Sequence, residues 1–204
     1  MVREPIVEGI FYPADADGLK AKIQALLAHS TTLPGHAKLI VSPHGSFEFS
    51  GAIMAEAYRA TAAANPKRII VIGSCFHTKQ SAIFLPESTL FRTPLGDSPV
   101  DTKFIDELMD VSTIMVRNDL PHLEEHSIEV QLPFIQYLFP GIPIIPILLG
   151  NSSNAVFKSL IAGFSLTMAD VSQRCLLVIS SNMSAALDRT QAHREAEQRR
   201  SHSR

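Results

Sequence analysis

Apolar and polar positions fall into two kinds of block that alternate along the chain. Short continuous apolar runs, Lys38-Leu39-Ile40-Val41, Arg68-Ile69-Ile70-Val71-Ile72-Gly73 and Cys175-Leu176-Leu177-Val178-Ile179, have the length and β-branched content of buried strands. Shorter runs over 82–85 and 114–116 predict two more strands. The run over 142–149 carries Pro143 and Pro146, which predicts an irregular strand or one near an edge. Between these runs, apolar residues recur at helical spacing. Leu19, Ile23, Leu26 and Leu27 give one face to a helix over 15–28; Ile53, Ala57 and Ala60 do so over 51–62; Phe104, Ile105, Leu108 and Met109 do so over 101–110. A helix over about 126–139 contains Pro133, which kinks it or marks its true start, and another helix covers 154–168. Residues 1–13 read as an extended segment packed on the domain, and 91–96 as a loop. Strands alternating with helices predict an α/β fold, a three-layer α/β/α arrangement around a mainly parallel sheet.

The ends of the strands carry the chemistry. The first runs into Ser42-Pro43-His44, the second into Ser74-Cys75-Phe76-His77, and the third into Ser180-Ser181-Asn182. Pro43 fixes φ and removes a backbone donor, so the first strand stops and His44 lies beyond the ladder. Open α/β sheets bind ligands at the carboxyl edge of their strands. Parallel neighbours would bring these three polar groups together there.

Composition narrows the function classes. The chain has 204 residues, 46% hydrophobic and 19% charged, enough for one domain with a core. A net charge of −2 argues against a nucleic-acid-binding surface spread over the molecule. No apolar run approaches the ~20 residues of a membrane span, and the start shows no apolar signal core. Two cysteines without CxxC spacing imply no disulfide framework, so the cytoplasm is the expected compartment. After Leu187 there is no Val, Ile, Leu or Phe, which predicts a single domain over 1–187 and a basic polar tail over 188–204 with no face to bury.

Several segments together resemble the Memo-like proteins, whose prokaryotic members are called AmmeMemoRadiSam system protein B. They are Gly9-Ile10-Phe11-Tyr12-Pro13, Pro43-His44 with Phe49-Ser50-Gly51, Arg92-Thr93-Pro94-Leu95-Gly96 with Val100-Asp101, and Glu125-His126-Ser127-Ile128-Glu129-Val130-Gln131-Leu132-Pro133-Phe134. The resemblance implies a fold similar to class III extradiol dioxygenases and a pocket able to hold a non-haem metal. It also implies where this chain departs from the pattern. His44 matches the first ligand position, but Phe76 stands where a second histidine is expected, with His77 one residue later. Asn182 and Ala185 stand where an aspartate and a histidine are expected. A first-row metal takes three or more donors at about 2 Å, and Phe76 offers none. Iron, copper or zinc is therefore expected to bind weakly. The chain reads as a degenerate member lacking the family's C-terminal segment, and the uncovered sheet this implies favours self-association.

Each candidate residue has two readings. His44 is a metal ligand or a polar pocket residue, against a surface histidine capping a turn. His77 is a substitute ligand or a plain loop histidine, and Cys75 a thiolate ligand or an inert small hydrophobe. Glu125 and His126 are pocket groups, the carboxylate orienting the imidazole, or they mark a helix N-terminus that Ser127 caps. Ser181 and Asn182 complete the pocket. Asp97 and Asp101 read as caps before a helix. The reading adopted is a non-catalytic binding or adaptor protein that takes a small molecule or peptide at the sheet's carboxyl edge, without nucleic acid or membrane partners. The alternatives are a metal-dependent, dioxygenase-like oxidoreductase using His44 and neighbouring donors, and a shortened inactive product.

Overall fold

A computed structural model describes residues 1–151, 153–167 and 174–182, with Thr190 and Arg194; the expected tail and Ala185 otherwise fall outside the described residues. The chain runs β1 (Val2–Arg3), α1 (Ala16–Ala28), β2 (Leu39–Ser42), α2 (Gly51–Arg59), β3 (Arg68–Ser74), β4 (Ile83–Leu85), β5 (Leu90–Thr93), β6 (Gly96–Pro99), α3 (Thr102–Met109), β7 (Met115–Arg117), α4 (Asp119–Glu124), α5 (Leu132–Leu138), β8 (Ile144–Leu149), α6 (Asn154–Thr167) and β9 (Cys175–Ser180).

The main sheet has six strands in the order β2-β9-β3-β8-β4-β7. β2, β9, β3 and β8 pair in parallel, and β4 turns antiparallel against β8. The buried strand runs are the reason: β3 and β8 lie inside the sheet, and Ile69, Ile70, Val71, Ile144, Ile145 and Ile147 are fully buried. Helices cover both faces. α1 packs on α2 and α5, and α2 packs on β2. On the opposite face α3 packs on α6, β7 and β8. The architecture is the expected three-layer α/β/α arrangement with a mostly parallel sheet.

Local chemistry sets the helix starts. Asp15 caps α1 by accepting from Gly18 N–H, and Asp101 caps α3 by accepting from Phe104 N–H at 3.1 Å. Pro133 marks a true start: a 3₁₀ turn over Glu129–Gln131 leads into α5 with the proline in its first turn.

Several sequence expectations are corrected. The segment 91–96 is a hairpin rather than a loop: β5 and β6 pair antiparallel, and β1 joins β5 in a separate three-stranded sheet. Gly96, at φ +118°, supplies the backbone turn that a residue with a side chain resists. Asp97 does not cap a helix; it pairs with Arg92 across that hairpin. β8 is regular and internal although Pro143 precedes it and Pro146 lies within it. Ile144 offers its carbonyl to Asp101 N–H on the β4 side, and Pro146, two residues on, faces the same way. β4 pairs β8 only at Leu148 and Leu149, so the donor that Pro146 lacks has no ladder position to fill. The buried face of α2 is Gly51, Met54, Ala55 and Tyr58, while Ile53 is exposed. Tyr58 decides that orientation, with its ring stacked on Phe134 at 5.0 Å.

Candidate functional site

The carboxyl ends of β2, β9 and β3 bring His44, Ser180, Ser181, Asn182 and the turn after Ser74 to one edge. Parallel pairing sets Ser42 beside Ser180, and Ser181 N–H continues the ladder to Ser42 carbonyl at 2.9 Å. The segment 125–131 closes over this edge from α4 and α5. Gly73 lets it approach: a side chain there would begin 2.4 Å from Ser127 Oγ.

His44 is buried, and its tautomer follows from its partners. Ser180 Oγ donates to Ser127 carbonyl at 2.6 Å, which uses its only proton. The same oxygen lies 3.0 Å from His44 Nδ1, so Nδ1 carries the hydrogen and Nε2 holds the lone pair. Gln131 Nε2 also donates to Ser180 Oγ, at 3.0 Å, and to Pro43 carbonyl, at 2.9 Å. Its Oε1 accepts from Tyr58 hydroxyl at 3.1 Å, which fixes the amide's orientation. Burial, and then the neighbouring His126, lower the His44 pKa below the ordinary imidazole value, with Glu125 and Ser180 opposing. His44 is thus a neutral acceptor at neutral pH.

His126 stands edge-on to His44, ring centroids 5.8 Å apart, and edge-on to Phe11 at 4.9 Å. Its Nδ1 lies 3.4 Å from Glu125 Oε1. Glu125 and Glu124 do not start a helix; they stand at the end of α4. The Glu125 carboxylate is buried and turned onto backbone amides. It accepts from His126 N–H at 2.9 Å, Ser127 N–H at 3.1 Å and Phe76 N–H at 3.3 Å. Ser127 caps nothing; its hydroxyl meets Ser74 carbonyl. Glu125 therefore ties the turn after β3 to the His126 segment.

Asn182 accepts from His44 N–H at 3.1 Å and holds the two strand ends together. Phe76 is 63% exposed, and its ring lies 5.8 Å from the His44 ring. Cys75 is buried, its thiol pKa raised by burial, with His77 and Thr78 backbone amides as its partners. His77 is exposed in the same turn and makes no ring contact or hydrogen bond with His44 or His126. A cavity of about 270 Å³ lies between Gly9–Pro13 and Ser46–Glu48, with Phe11 in its lining.

Two imidazoles and a carboxylate already engaged with three amides are a poor fit for a first-row metal. Among the described residues, no three His, Cys, Asp or Glu side chains gather as a metal-holding group. The arrangement offers instead one neutral acceptor nitrogen, a second imidazole and two neighbouring aromatic rings, Phe11 and Phe76.

A second buried node supports the site from behind, and sequence reasoning missed it. Arg3 donates to His122 carbonyl at 2.8 Å and Glu125 carbonyl at 2.9 Å, and pairs with Glu129. Glu129 also accepts from Ile6 and Val7 amides and from Tyr12 hydroxyl, at 2.6 Å. This clamps the N-terminal segment, and with it Phe11, to the His126 segment. The signal available was Glu129 inside the apolar run Ile128 to Phe134, a charge where a helix face should be buried.

Comparison with known proteins relates this chain to one family. The family model for Memo-like protein matches residues 3–203. The chain is 34% identical over 195 residues to a MEMO1 family protein of Thermotoga neapolitana, covering 89% of this chain and 69% of the relative. It is 32% identical over 197 residues to one of Methanobrevibacter smithii, covering 90% and 70%. A MEMO1 family protein of Ignicoccus hospitalis is 31% identical over 195 residues, covering 90% and 68%. With the profile spanning nearly its whole length and relatives aligned across about nine-tenths of it, this chain belongs to the Memo-like protein family.

Proposed function

We propose that this Memo-like protein binds a small molecule or peptide at the sheet edge where His44, His126, Phe11 and Phe76 neighbour one another, and that this edge is a degenerate metal pocket without catalytic activity. The observation that carries this reading is the commitment of Glu125. A carboxylate that accepts three backbone hydrogen bonds is an anchor for the loop, with little capacity left for a metal or a substrate proton. A neutral acceptor beside exposed aromatic surface suits a ligand with a hydrogen-bond donor and an apolar or aromatic portion. Two buried free cysteines suit a reducing compartment, and we place the protein in the cytoplasm on that basis. Among the described residues no helix is long and apolar enough to cross a membrane.

A second reading, a metal-dependent oxidoreductase, draws on one contact: His126 Nδ1 is 3.4 Å from Glu125, and its ring is 5.8 Å from His44. Oxygen uptake separates the two. With added ferrous iron and catechol, the binding reading expects uptake no faster than the protein-free blank. Aromatic amides and phenylalanine-containing tripeptides should shift the imidazole resonances of His44 and His126. Oxygen uptake above the blank that disappears in His44→Ala would establish the oxidoreductase.

A further inference from the structure

We propose that the cleft at the amino ends of β2 and β9, at the opposite end of the strands from the candidate site, binds a tetrahedral oxyanion: inorganic phosphate or the phosphate group of a phosphomonoester. The cleft is a cavity of about 150 Å³ between the approach to β2, the loop from α2 to β3 and the start of β9. His36, Lys38, Asn65 and Arg174 line it with polar side chains, and all four residues are exposed. Beneath them Pro66, Cys175 and Leu176 are buried. Backbone bonds fix this frame. Ala37 N–H donates to Ala60 carbonyl and Ala63 N–H to Gly35 carbonyl, both at 2.9 Å, which ties the approach to β2 to the residues after α2. Lys67 N–H donates to Arg174 carbonyl at 2.7 Å, and Leu177 N–H to Lys38 carbonyl at 2.8 Å. The start of β9 is thus held between the starts of β2 and β3, with Lys38 and Arg174 on adjacent strands.

Charge decides the ligand. The segments 29–47, 57–86 and 171–187, which contribute every lining residue, contain no Asp or Glu, although the whole chain carries −2. Among the described residues, the side chains of His36, Lys38, Asn65 and Arg174 have no hydrogen-bond or ion-pair partner. The Cys175 thiol adds no negative charge to the floor: burial pushes its pKa up to about 11, with the Ile70 backbone and Arg68 opposing. Lys67 stands on the strand next to Arg174, so like charges gather at this edge. An anion relieves their repulsion, and a floor of buried apolar residues strengthens its attraction to them. The donors come from three separate segments, which suits the spread of phosphate oxygens better than a planar carboxylate. Arg174 brings a fork of parallel N–H groups and Lys38 a compact point charge, while His36 and Asn65 add neutral or charged donors. The volume takes one phosphate group, so the organic part of an ester would extend into solvent.

Titration of the 204-residue chain with inorganic phosphate at constant ionic strength, followed by its amide resonances, tests this. The expected result is saturable one-to-one binding with a midpoint of about 1 mM or below, and shifts concentrated at Ala37, Lys38, Asn65 and Cys175. Lys38→Met and Arg174→Met, both at exposed positions, should each weaken it at least tenfold, while Lys79→Met, exposed in the turn after β3, leaves it unchanged. Glycerol 2-phosphate separates the two sources: tighter binding than phosphate assigns the site to a phosphomonoester, and equal or weaker binding assigns it to the inorganic ion. The shift map of the parent does not depend on whether the variants fold. It also reads the opposite end of the strands from His44 and His126, so its failure leaves the reading of the carboxyl edge untouched. Shifts that rise without saturating, that scatter over the surface, or that persist unchanged in both methionine variants would overturn the proposal.

Discussion

Ser180 holds the candidate site through a single oxygen that accepts from His44 and Gln131 and donates to Ser127 carbonyl. Replacing it with alanine leaves two buried donors and one carbonyl without a partner, in a place water does not readily reach. Ser180→Ala should cost about 1–3 kcal/mol in denaturant unfolding. It should also release the tautomer of His44, visible as a change in its ring nitrogen shifts. A neutral outcome in both would mean that Ser180 does not organise the site. His122 is the other instructive residue. It is fully buried, its Nε2 donates to Phe84 carbonyl at 3.1 Å, and Nδ1 is without a hydrogen-bond partner among the described residues. Burial lowers its pKa from 6.5 to about 4. The folded state then resists protonation while the unfolded state accepts it. His122 therefore favours folding fully above about pH 6.5, and that contribution is lost as pH falls toward 4, by up to about 3 kcal/mol. His44, also lowered, adds loss in the same direction. In His122→Gln the fall in stability between pH 6.5 and 4 should be shallower than in the parent. Equal slopes would show that His122 does not drive the acid sensitivity.

The N-terminal segment and the segment 125–131 work as one element because Arg3 and Glu129 bind them together. Removing one partner of a buried pair leaves the other charge uncompensated, which costs roughly 3–5 kcal/mol. Arg3→Met should destabilise the fold by that order and speed hydrogen exchange at Ile6 and Val7, whose amides Glu129 holds. Unchanged exchange there would mean the segment is held by packing alone. Elements of this kind were the least legible in the sequence. The apolar run of β3 was readable because a strand buried on both faces must be apolar throughout; those of β2 and β9 were readable by their unbroken apolar length, although every second residue of β2 is exposed. Pro146 misled because the effect of a missing donor depends on which neighbour it faces, and that is a property of the assembled sheet. The hairpin of β5 and β6 was read as a loop because Gly-Asp-Ser-Pro carries no alternation of apolar residues. His44 could be placed from its own strand and the proline before it. Its support could not: Tyr58 and Gln131 are 73 positions apart, and Arg3 and Glu129 are 126 apart. Nothing local distinguishes such residues from solvated polar ones.

At the scale of the whole molecule, a Memo-like α/β/α scaffold places polar strand ends at one sheet edge, but the side chains there are arranged to hold one another. His44 is bound to Ser180, Asn182 to the His44 amide, and Glu125 to three amides, with the Phe76 ring beside His44. The central claim is that this edge lacks the donors to retain a metal, and that Phe76 is a principal reason. Phe76 is exposed, so a histidine is tolerated there without opening a cavity. The most direct test is titration of metal-free protein with iron, copper and zinc, in the parent and in Phe76→His. The account predicts weak, substoichiometric binding in the parent and an affinity at least tenfold higher in the variant, equivalent to ~1.4 kcal/mol. Tight one-to-one binding in the parent, lost in His44→Ala, would contradict it.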